Sequence, residues 1–120
     1  MEYVLLIYGQ ESDWSELAPD DQQAMLEEYF ALARDLRAQD KLLTSNELHP
    51  VSTATTIRVE DGETIVSDGP FAETKEVLGG YFAIDAESLD EAIVWAQRIP
   101  AARRGRVEIR PAVDHAGAGS

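Results

Sequence analysis

The segment that decides how this chain is organised runs from Asp68 to Gly80 and reads D-G-P-F-A-E-T-K-E-V-L-G-G. It has no helical or strand periodicity, although strand-like runs lie on both sides of it. Its first three residues predict a turn, because Asp can bond to its own backbone, Gly permits unusual dihedral angles and Pro fixes φ. The pair Gly79-Gly80 is typical of a place where backbone approaches another group closely. We therefore expect a charged loop here, and it is the best candidate for a functional site.

A β-hairpin is predicted immediately before this segment. Thr55 to Val59 and Thr64 to Ser67 are rich in strand-forming residues, and Asp61-Gly62 lies between them. Asp-Gly between two such runs is a strong signal for a two-residue turn. With Glu60 and Glu63 paired beside the turn, Arg58 lies opposite Ile65 and shares one face of the hairpin with Thr56 and Ser67.

The other predicted elements give an α+β fold. Tyr3 to Tyr8 is a continuous apolar run, which predicts a strand buried on both faces. A helix is predicted to begin at Pro19, with Ala18 as a poor cap, and to end near Asp40. The remaining predicted elements are a strand at Leu42 to Leu48, a strand at Tyr81 to Ile84, a helix that begins with the capping box Ser88 to Glu91 and is stopped by Pro100, and a strand at Val107 to Arg110.

This order predicts an antiparallel sheet with two helices on one face, plus the hairpin. The helix after Pro19 has an apolar stripe at helical spacing, and the second helix has its own, made of Leu89, Ala92, Ile93, Ala96 and Ile99. The opposite face of the sheet then needs a cover. A second copy of the chain is the simplest one, so we expect a homodimer packed sheet to sheet.

Composition limits both the architecture and the partners. The chain has 120 residues, which suits one domain, predicted over residues 1–113, followed by a disordered glycine-rich tail over 114–120. The net charge of −13 disfavours phosphate backbones and anionic membranes, so we expect no nucleic-acid partner and no membrane partner. There is no cysteine, and no apolar run is long enough for a signal peptide or a membrane span. A cytoplasmic location is the resulting expectation.

The segment V-S-D-G-P-F-A-E-T-K-E-V-L-G-G-Y-F, from Val66 to Phe82, closely resembles the signature of the DGPF family of YCII-related proteins. Three further stretches resemble that family, at Tyr3 to Gly9, Ala54 to Arg58 and Val107 to Pro111. The resemblance implies a ferredoxin-like α+β fold related to dimeric α/β-barrel proteins. It also implies an association with sigma factors of the extracytoplasmic-function type, beside which some members are encoded.

YciI-like relatives of this family have been proposed to be enzymes that use a histidine–aspartate pair. The histidines of this chain are His49 and His115, and neither lies in a segment that matches the family. A histidine-dependent mechanism is therefore not carried over. Glu47 and His49 point to the same side of an extended segment, but two ligands do not make a metal site, so neither a metal nor another cofactor is predicted.

The candidate catalytic residues are Asp68 and Glu73. A carboxylate needs burial or a like-charged neighbour to act as a base near neutral pH, and Glu73 and Glu76 are close enough in sequence to Asp68 to provide one. The structural alternative is that Asp68 only forms the turn and that the charges at 73–76 are a solvated run.

The candidate ligand-binding residues are cationic groups and their polar neighbours. Arg58 and Lys75 would hold an anionic group, since a guanidinium can clamp a carboxylate or phosphate through two hydrogen bonds. The full predicted set is Arg58, Lys75, Glu76, Tyr81 and Arg110. Each also has a structural interpretation, as a surface or interface ion pair or, for Tyr81, as part of the core.

Two functions follow from these residues. The first is an enzyme or binder of a small anionic molecule, with a polar pocket between the sheet and the loop from Asp68 to Gly80. The alternative is a non-catalytic regulatory domain that acts with a sigma factor, for which the acidic surface would complement a basic partner. The residues name no substrate and no reaction.

Overall fold

The computed structural model describes residues 1–115. In chain order the elements are β1 (Glu2–Gly9), α1 (Ser12–Ser15), α2 (Pro19–Ala38), β2 (Leu42–Glu47), a short 3-10 turn (Val51–Thr53), β3 (Thr55–Glu60), β4 (Glu63–Asp68), β5 (Val77–Asp85), α3 (Leu89–Ala96), α4 (Ala101–Arg104) and β6 (Arg106–Pro111). The chain is therefore α+β, as predicted. None of its described helices is both long and apolar enough to cross a bilayer.

Four strands form one antiparallel sheet in the order β2-β5-β1-β6. The two central strands, β1 and β5, pair over almost their whole length, from Glu2 opposite Asp85 to Gly9 opposite Val77. A bulge lies in this pairing between Ile7 and Tyr8. The strands β2 and β6 are the two edges, so the described residues form an open sheet and no closed barrel.

Both long helices cover the same face of the sheet. Tyr3 and Leu5 of β1 lie opposite Ile84 and Phe82 of β5, so these four side chains share one face. All four are buried, and the helices pack on them to form the core. The buried core residues are Tyr3, Leu5, Leu32, Leu36, Phe82, Ile84, Ala86, Ala92, Trp95, Ala96 and Ile99.

The prediction that β1 is buried on both faces is wrong. Val4 and Leu6 point to the face without helices and are only half-buried, because nothing in the described chain packs over that side. Leu6 lies opposite Tyr81 on β5 and opposite Glu108 on β6. This side of the sheet, called the open face below, is apolar along β1 and polar towards β6.

The side of α3 that is buried also differs from the predicted apolar stripe, which included Leu89 and Ile93. Leu89 and Ile93 are exposed, while Trp95 is buried in their place. Trp95 is the largest side chain of the helix, and its indole N–H donates to Glu91 at 3.0 Å. The helix rotates to bury the ring while keeping that polar tip satisfied.

The predicted hairpin forms a separate two-stranded sheet, β3 and β4, called the hairpin arm below. Its register confirms the prediction, with Arg58 opposite Ile65 and Asp61 and Gly62 in the turn at positive φ. At its base the N–H of Gly69 donates to the Ala54 carbonyl at 2.7 Å.

The predicted disordered tail lies mostly outside the described residues, since 116–120 are not described. Asp114 and His115 are described and are in neither a helix nor a strand.

Candidate functional site

A groove of about 660 Å³ lies between α2 and one end of the sheet. Its walls come from α2, from the ends of β1, β2 and β5 at that side, from α4, and from the polar loop containing α1. Volumes of about 300–1,000 Å³ are typical of small-molecule sites in proteins. The groove is therefore the candidate functional site.

The helical wall is apolar and partly aromatic. Met25, Tyr29 and Ala33 are spaced by four residues along α2, so they lie on one side of the helix and face the groove. Phe30 also lines the groove and is 65% exposed, and Trp14 of α1 lies in the same lining. The wide stripe of α2 thus has two roles, because Leu32 and Leu36 fill the core and the neighbouring side lines the groove.

The opposite wall contains the glycine pair singled out in the sequence. Gly79, Gly80 and Tyr81 all line the groove. A β-carbon on Gly80 would lie 2.8 Å from the backbone oxygen of Asn46, so the missing side chain lets β2 approach β5 at this point. Tyr81 is fixed by its neighbour on β2, because the Asn46 side-chain amide donates to the Tyr81 hydroxyl at 2.9 Å.

Tyr29 provides a protonated hydroxyl in the groove. Its ring stacks on Phe82, with the ring centres 6.4 Å apart and the planes 3° from parallel. Burial raises the pKa of Tyr29 above its ordinary value, and the carboxylates of Glu47 and Glu28 act in the same direction. A backbone hydrogen bond with Ala101 and the charge of Arg103 oppose that rise. The phenol therefore stays neutral at physiological pH and can donate a hydrogen bond.

The groove also carries charges of both signs. The carboxylate of Glu11 is already engaged, since it accepts from the Val51 N–H at 3.0 Å, and Asp13 accepts from the Gln10 N–H at 3.1 Å. The charged groups Arg37, Arg104 and Glu47 line the groove without an ion-pair partner within 4.0 Å among residues 1–115, and His49 lies in the same lining.

Of the predicted site residues, the structure places Tyr81 in the groove lining, although its side chain lies on the open face, opposite Leu6. Arg58 lies on the hairpin arm and forms an ion pair with Glu60, and Arg110 lies on β6, opposite Val4 of the open face. Their strands belong to different sheets, so these two arginines do not form one clamp within the described fold.

The predicted acidic residues and Lys75 lie on or after the end of the hairpin arm. Asp68 is the last residue of β4, and Glu73 and Lys75 are exposed in the connection to β5. Glu76 lies 4.0 Å from Arg106. None of these four lines the groove, and their predicted catalytic and binding roles stay predictions.

Sequence reasoning missed most of the groove lining. Tyr29 and Phe30 belong to the apolar stripe predicted on the helix after Pro19, and neither they nor Trp14 are among the predicted site residues. One feature of the sequence could have indicated this lining. The apolar stripe on α2 is wider than the strip of a helix that packs against a sheet, so part of it had to face something else. The pair Glu47 and His49 was noted, and both line the groove. Nowhere in residues 1–115 do three His, Asp or Glu side chains cluster as a metal ion would require.

An open antiparallel sheet covered by two helices, with a groove at one end of the helical layer, defines a small α+β domain with a candidate ligand site. The model of the YCII-related domain family matches residues 1–115, so the chain belongs to that family. It is also 40% identical over 113 residues to an uncharacterised protein of Rhizobium meliloti (strain 1021), a match that covers 92% of this chain and 91% of the relative.

Proposed function

We propose that this YCII-related domain binds a small organic molecule in the groove between α2 and the sheet, and that the molecule is largely apolar with one acidic group. The observation that carries the proposal is the groove itself, with its aromatic and aliphatic lining and a few polar groups. Ligand sites generally combine a mostly apolar wall with a small number of polar groups that fix orientation.

The acidic group is proposed from two guanidinium groups of the groove that have no ion-pair partner within residues 1–115. Arg37 at the end of α2 and Arg104 of α4 both line the groove, and an arginine prefers a carboxylate or phosphate as its partner. Tyr29 would donate a hydrogen bond to the ligand. Glu47 and His49 are the groove residues able to accept or release a proton if the ligand is turned over.

Thermal unfolding in the presence of small acids tests this proposal. The panel pairs each aryl or alkyl carboxylic acid with its neutral amide and its amine, because a ligand that binds only the folded state raises the melting temperature. Arg37→Gln should abolish the rise caused by the acids. Arg34→Gln is the matched control, since Arg34 lies on the same helix but does not line the groove.

A response to amines instead of acids would reject the acidic group and assign recognition to Glu47. If no member of the panel stabilised the protein, the groove would not be a binding site for molecules of this class. The predicted anion site around Arg58 and Lys75 is tested with the same acids, because Lys75→Gln should remove any stabilisation that arises there.

We also propose a fold class, a branch of the family and an oligomeric state for this chain. The strand order β2-β5-β1-β6, with α2 after β1 and α3 after β5, supports assignment to the ferredoxin-like class. The motif in residues 66–82 supports assignment to the DGPF branch of the family. A half-buried apolar stripe on the open face supports a second copy of the chain as its cover, as in a dimeric α/β barrel. Such a homodimer would be a bacterial, cytoplasmic protein.

A regulatory role with an extracytoplasmic-function sigma factor is the second candidate. It is supported by the resemblance to the DGPF family and by the net charge of −13, which would complement a basic partner. A pull-down with extracytoplasmic-function sigma factors of the source organism tests it. Salt-sensitive capture would favour this role, and no capture at low salt would reject it.

A further inference from the structure

The hairpin arm carries an apolar face that nothing in the described chain covers. Ile57 lies directly opposite Val66, and Val59 lies two residues further on the same face. These three side chains are 63%, 62% and 67% exposed, respectively. Phe71, which follows the arm in the charged segment, is 91% exposed. An exposed cluster of this kind marks an interaction surface, since single scattered apolar residues are the norm elsewhere.

The hairpin arm stands away from the body, because β3 and β4 pack on each other and contact the other elements of residues 1–115 only slightly. The radius of gyration of the Cα atoms is 16.7 Å, whereas a compact domain of this length has about 14 Å. The longest extents are 48 Å by 48 Å, against a thickness of 19 Å. The arm is therefore placed to reach a neighbouring molecule.

Charge indicates which molecule that is. The turn of the arm is acidic, with Glu60, Asp61 and Glu63, and within the part of the chain that the structure describes only Glu60 of these three has an arginine partner, Arg58. The segment 103–110 carries four of the ten basic residues of the chain. Arg103 is bound by Glu28 and Arg104 lines the groove, but Arg106 and Arg110 lie on the open-face side of β6, opposite Tyr8 and Val4. A second copy thus offers these two arginines to the acidic turn, although two copies with a charge of −13 each repel one another overall.

We propose that the apolar face of the hairpin arm packs on a second copy of this chain, with its acidic turn against the basic segment 103–110 of that copy. The inference rests on the proposed second copy over the open face. Three side chains are too few for a stable interface, which buries roughly 800 Å² per partner. The arm therefore extends the contact made by the open face, and a twofold axis makes both contacts twice.

The first test measures dimer dissociation by sedimentation, using the full chain. Ile57→Ser combined with Val59→Ser should weaken the dimer at least ten-fold, because each substitution acts in both copies. Ile65→Ser is the matched control, since Ile65 is the exposed isoleucine on the other face of the same arm, and its dissociation constant should stay within about two-fold of the wild type. Circular dichroism of each variant checks that the fold is kept.

A dimer that is equally stable in the wild type and in the double variant would overturn the arm contact but keep the contact of the open face. A wild-type protein that sediments as a monomer at micromolar concentration would overturn both. Neither outcome bears on the ligand groove, which is tested by thermal unfolding.

The second test locates the contact. The chain has no cysteine, so Val59→Cys can be labelled selectively with a benzophenone maleimide. Irradiation of dimers that mix nitrogen-14 and nitrogen-15 chains should give cross-links between chains, with the acceptor in residues 103–110 or next to them. Cross-links found only within one chain would overturn the proposal, because the arm would then fold onto its own body.

Discussion

Among the glycines of residues 1–115, two lie where a β-carbon would meet the backbone of a neighbouring strand. The carbon on Gly80 would approach the Asn46 carbonyl, and the carbon on Gly105 would overlap the Tyr8 carbonyl oxygen and lie 2.9 Å from the Cα of Gly9. Backbone atoms of β1 cannot yield as a flexible side chain can. Gly105 is therefore required by the close approach of the α4–β6 connection to β1, next to the groove.

Gly105→Ala should destabilise the protein by about 2–3 kcal/mol, as overpacking against a fixed neighbour does. Urea denaturation followed by circular dichroism measures the loss. Gly79→Ala is the control, because nothing lies within 4 Å of its β-carbon position, and its effect should stay within about 1 kcal/mol. Equal losses in the two variants would contradict the steric explanation.

Glu91 connects the start of α3 to two other parts of the chain. Its carboxylate accepts from the Glu87 N–H at 2.9 Å and from the Trp95 indole at 3.0 Å, and it pairs with Lys41 at 2.9 Å. The hydrogen bond from the Glu87 backbone, followed by those from Lys41 and Trp95, lowers the pKa of Glu91 from 4.5 to about 2.

This pKa predicts an acid-dependent loss of stability. A carboxylate whose pKa is lower in the folded than in the unfolded state stabilises the fold above the unfolded value of 4.5. That contribution is lost as the pH falls from 4.5 towards 2. Glu91→Gln should lower the free energy of unfolding at pH 7 by about 1–3 kcal/mol and flatten its decline below pH 4.5.

Urea denaturation at pH 7, 4.5 and 3 checks this prediction. Asp90→Asn is the control, because Asp90 lies in the same first turn of α3, is exposed and has no side-chain hydrogen bond among those of the described residues. A Glu91→Gln variant with the acid sensitivity of the wild type would show that other carboxylates cause it.

At the scale of elements, the two long helices begin differently. The Ser88 hydroxyl accepts from the Glu91 N–H at 3.2 Å, so α3 has the side-chain cap predicted from its sequence. Ala18 precedes Pro19 of α2 in an extended conformation and provides no side-chain cap. The weak start predicted for α2 is confirmed, and the free N–H groups of its first turn are left to solvent.

Ala18→Ser should therefore stabilise the protein by about 0.5–1 kcal/mol, since the extended backbone at position 18 suits an N-cap serine. The shift in the urea midpoint measures the gain. Ala24→Ser is the control within α2, and a serine inside a helix should cost a few tenths of a kcal/mol. A loss of stability from Ala18→Ser would mean that the cap hydrogen bond does not form.

For the whole molecule, the two layers leave one side of the sheet exposed. The helices bury Tyr3, Leu5, Phe82 and Ile84, while Val4 and Leu6 on the other side are only half-buried. Tyr81 and Asn46 continue this open face towards β2. A single subunit has no further element to place there among its described residues, which is the physical reason for proposing a second copy.

Leu6→Glu places a carboxylate in the middle of the open face and should shift the protein from dimer to monomer. The dissociation constant is expected to rise about a hundred-fold or more, since a buried unpaired charge costs roughly 3 kcal/mol or more. Sedimentation equilibrium measures it. Ile93→Glu is the control, because Ile93 is exposed on α3 in the other layer. Dimers of equal stability in both variants would argue against the open face as the interface.

The sequence by itself determined the features that depend on a few neighbouring residues, namely the hairpin turn, the helix starts and the family motif. The Asp61-Gly62 turn fixes the hairpin register because both residues adopt positive φ, and the pairing of Arg58 with Ile65 follows from it. Pro19 and Ser88 marked the helix starts, and the motif within residues 66–82 indicated the family that the comparison with its model establishes.

Only the tertiary structure decided where the candidate site lies. The segment 68–80, on which the sequence reading centred, is divided: its glycine end lines the groove, while Asp68 and the charges at 73–76 lie outside the lining. Trp14, Tyr29 and His49 are distant in sequence and meet in the groove because β1, α2 and β5 pack together. Such contacts depend on long-range packing and on the rotation of each helix, and neither is encoded in a local pattern of residues.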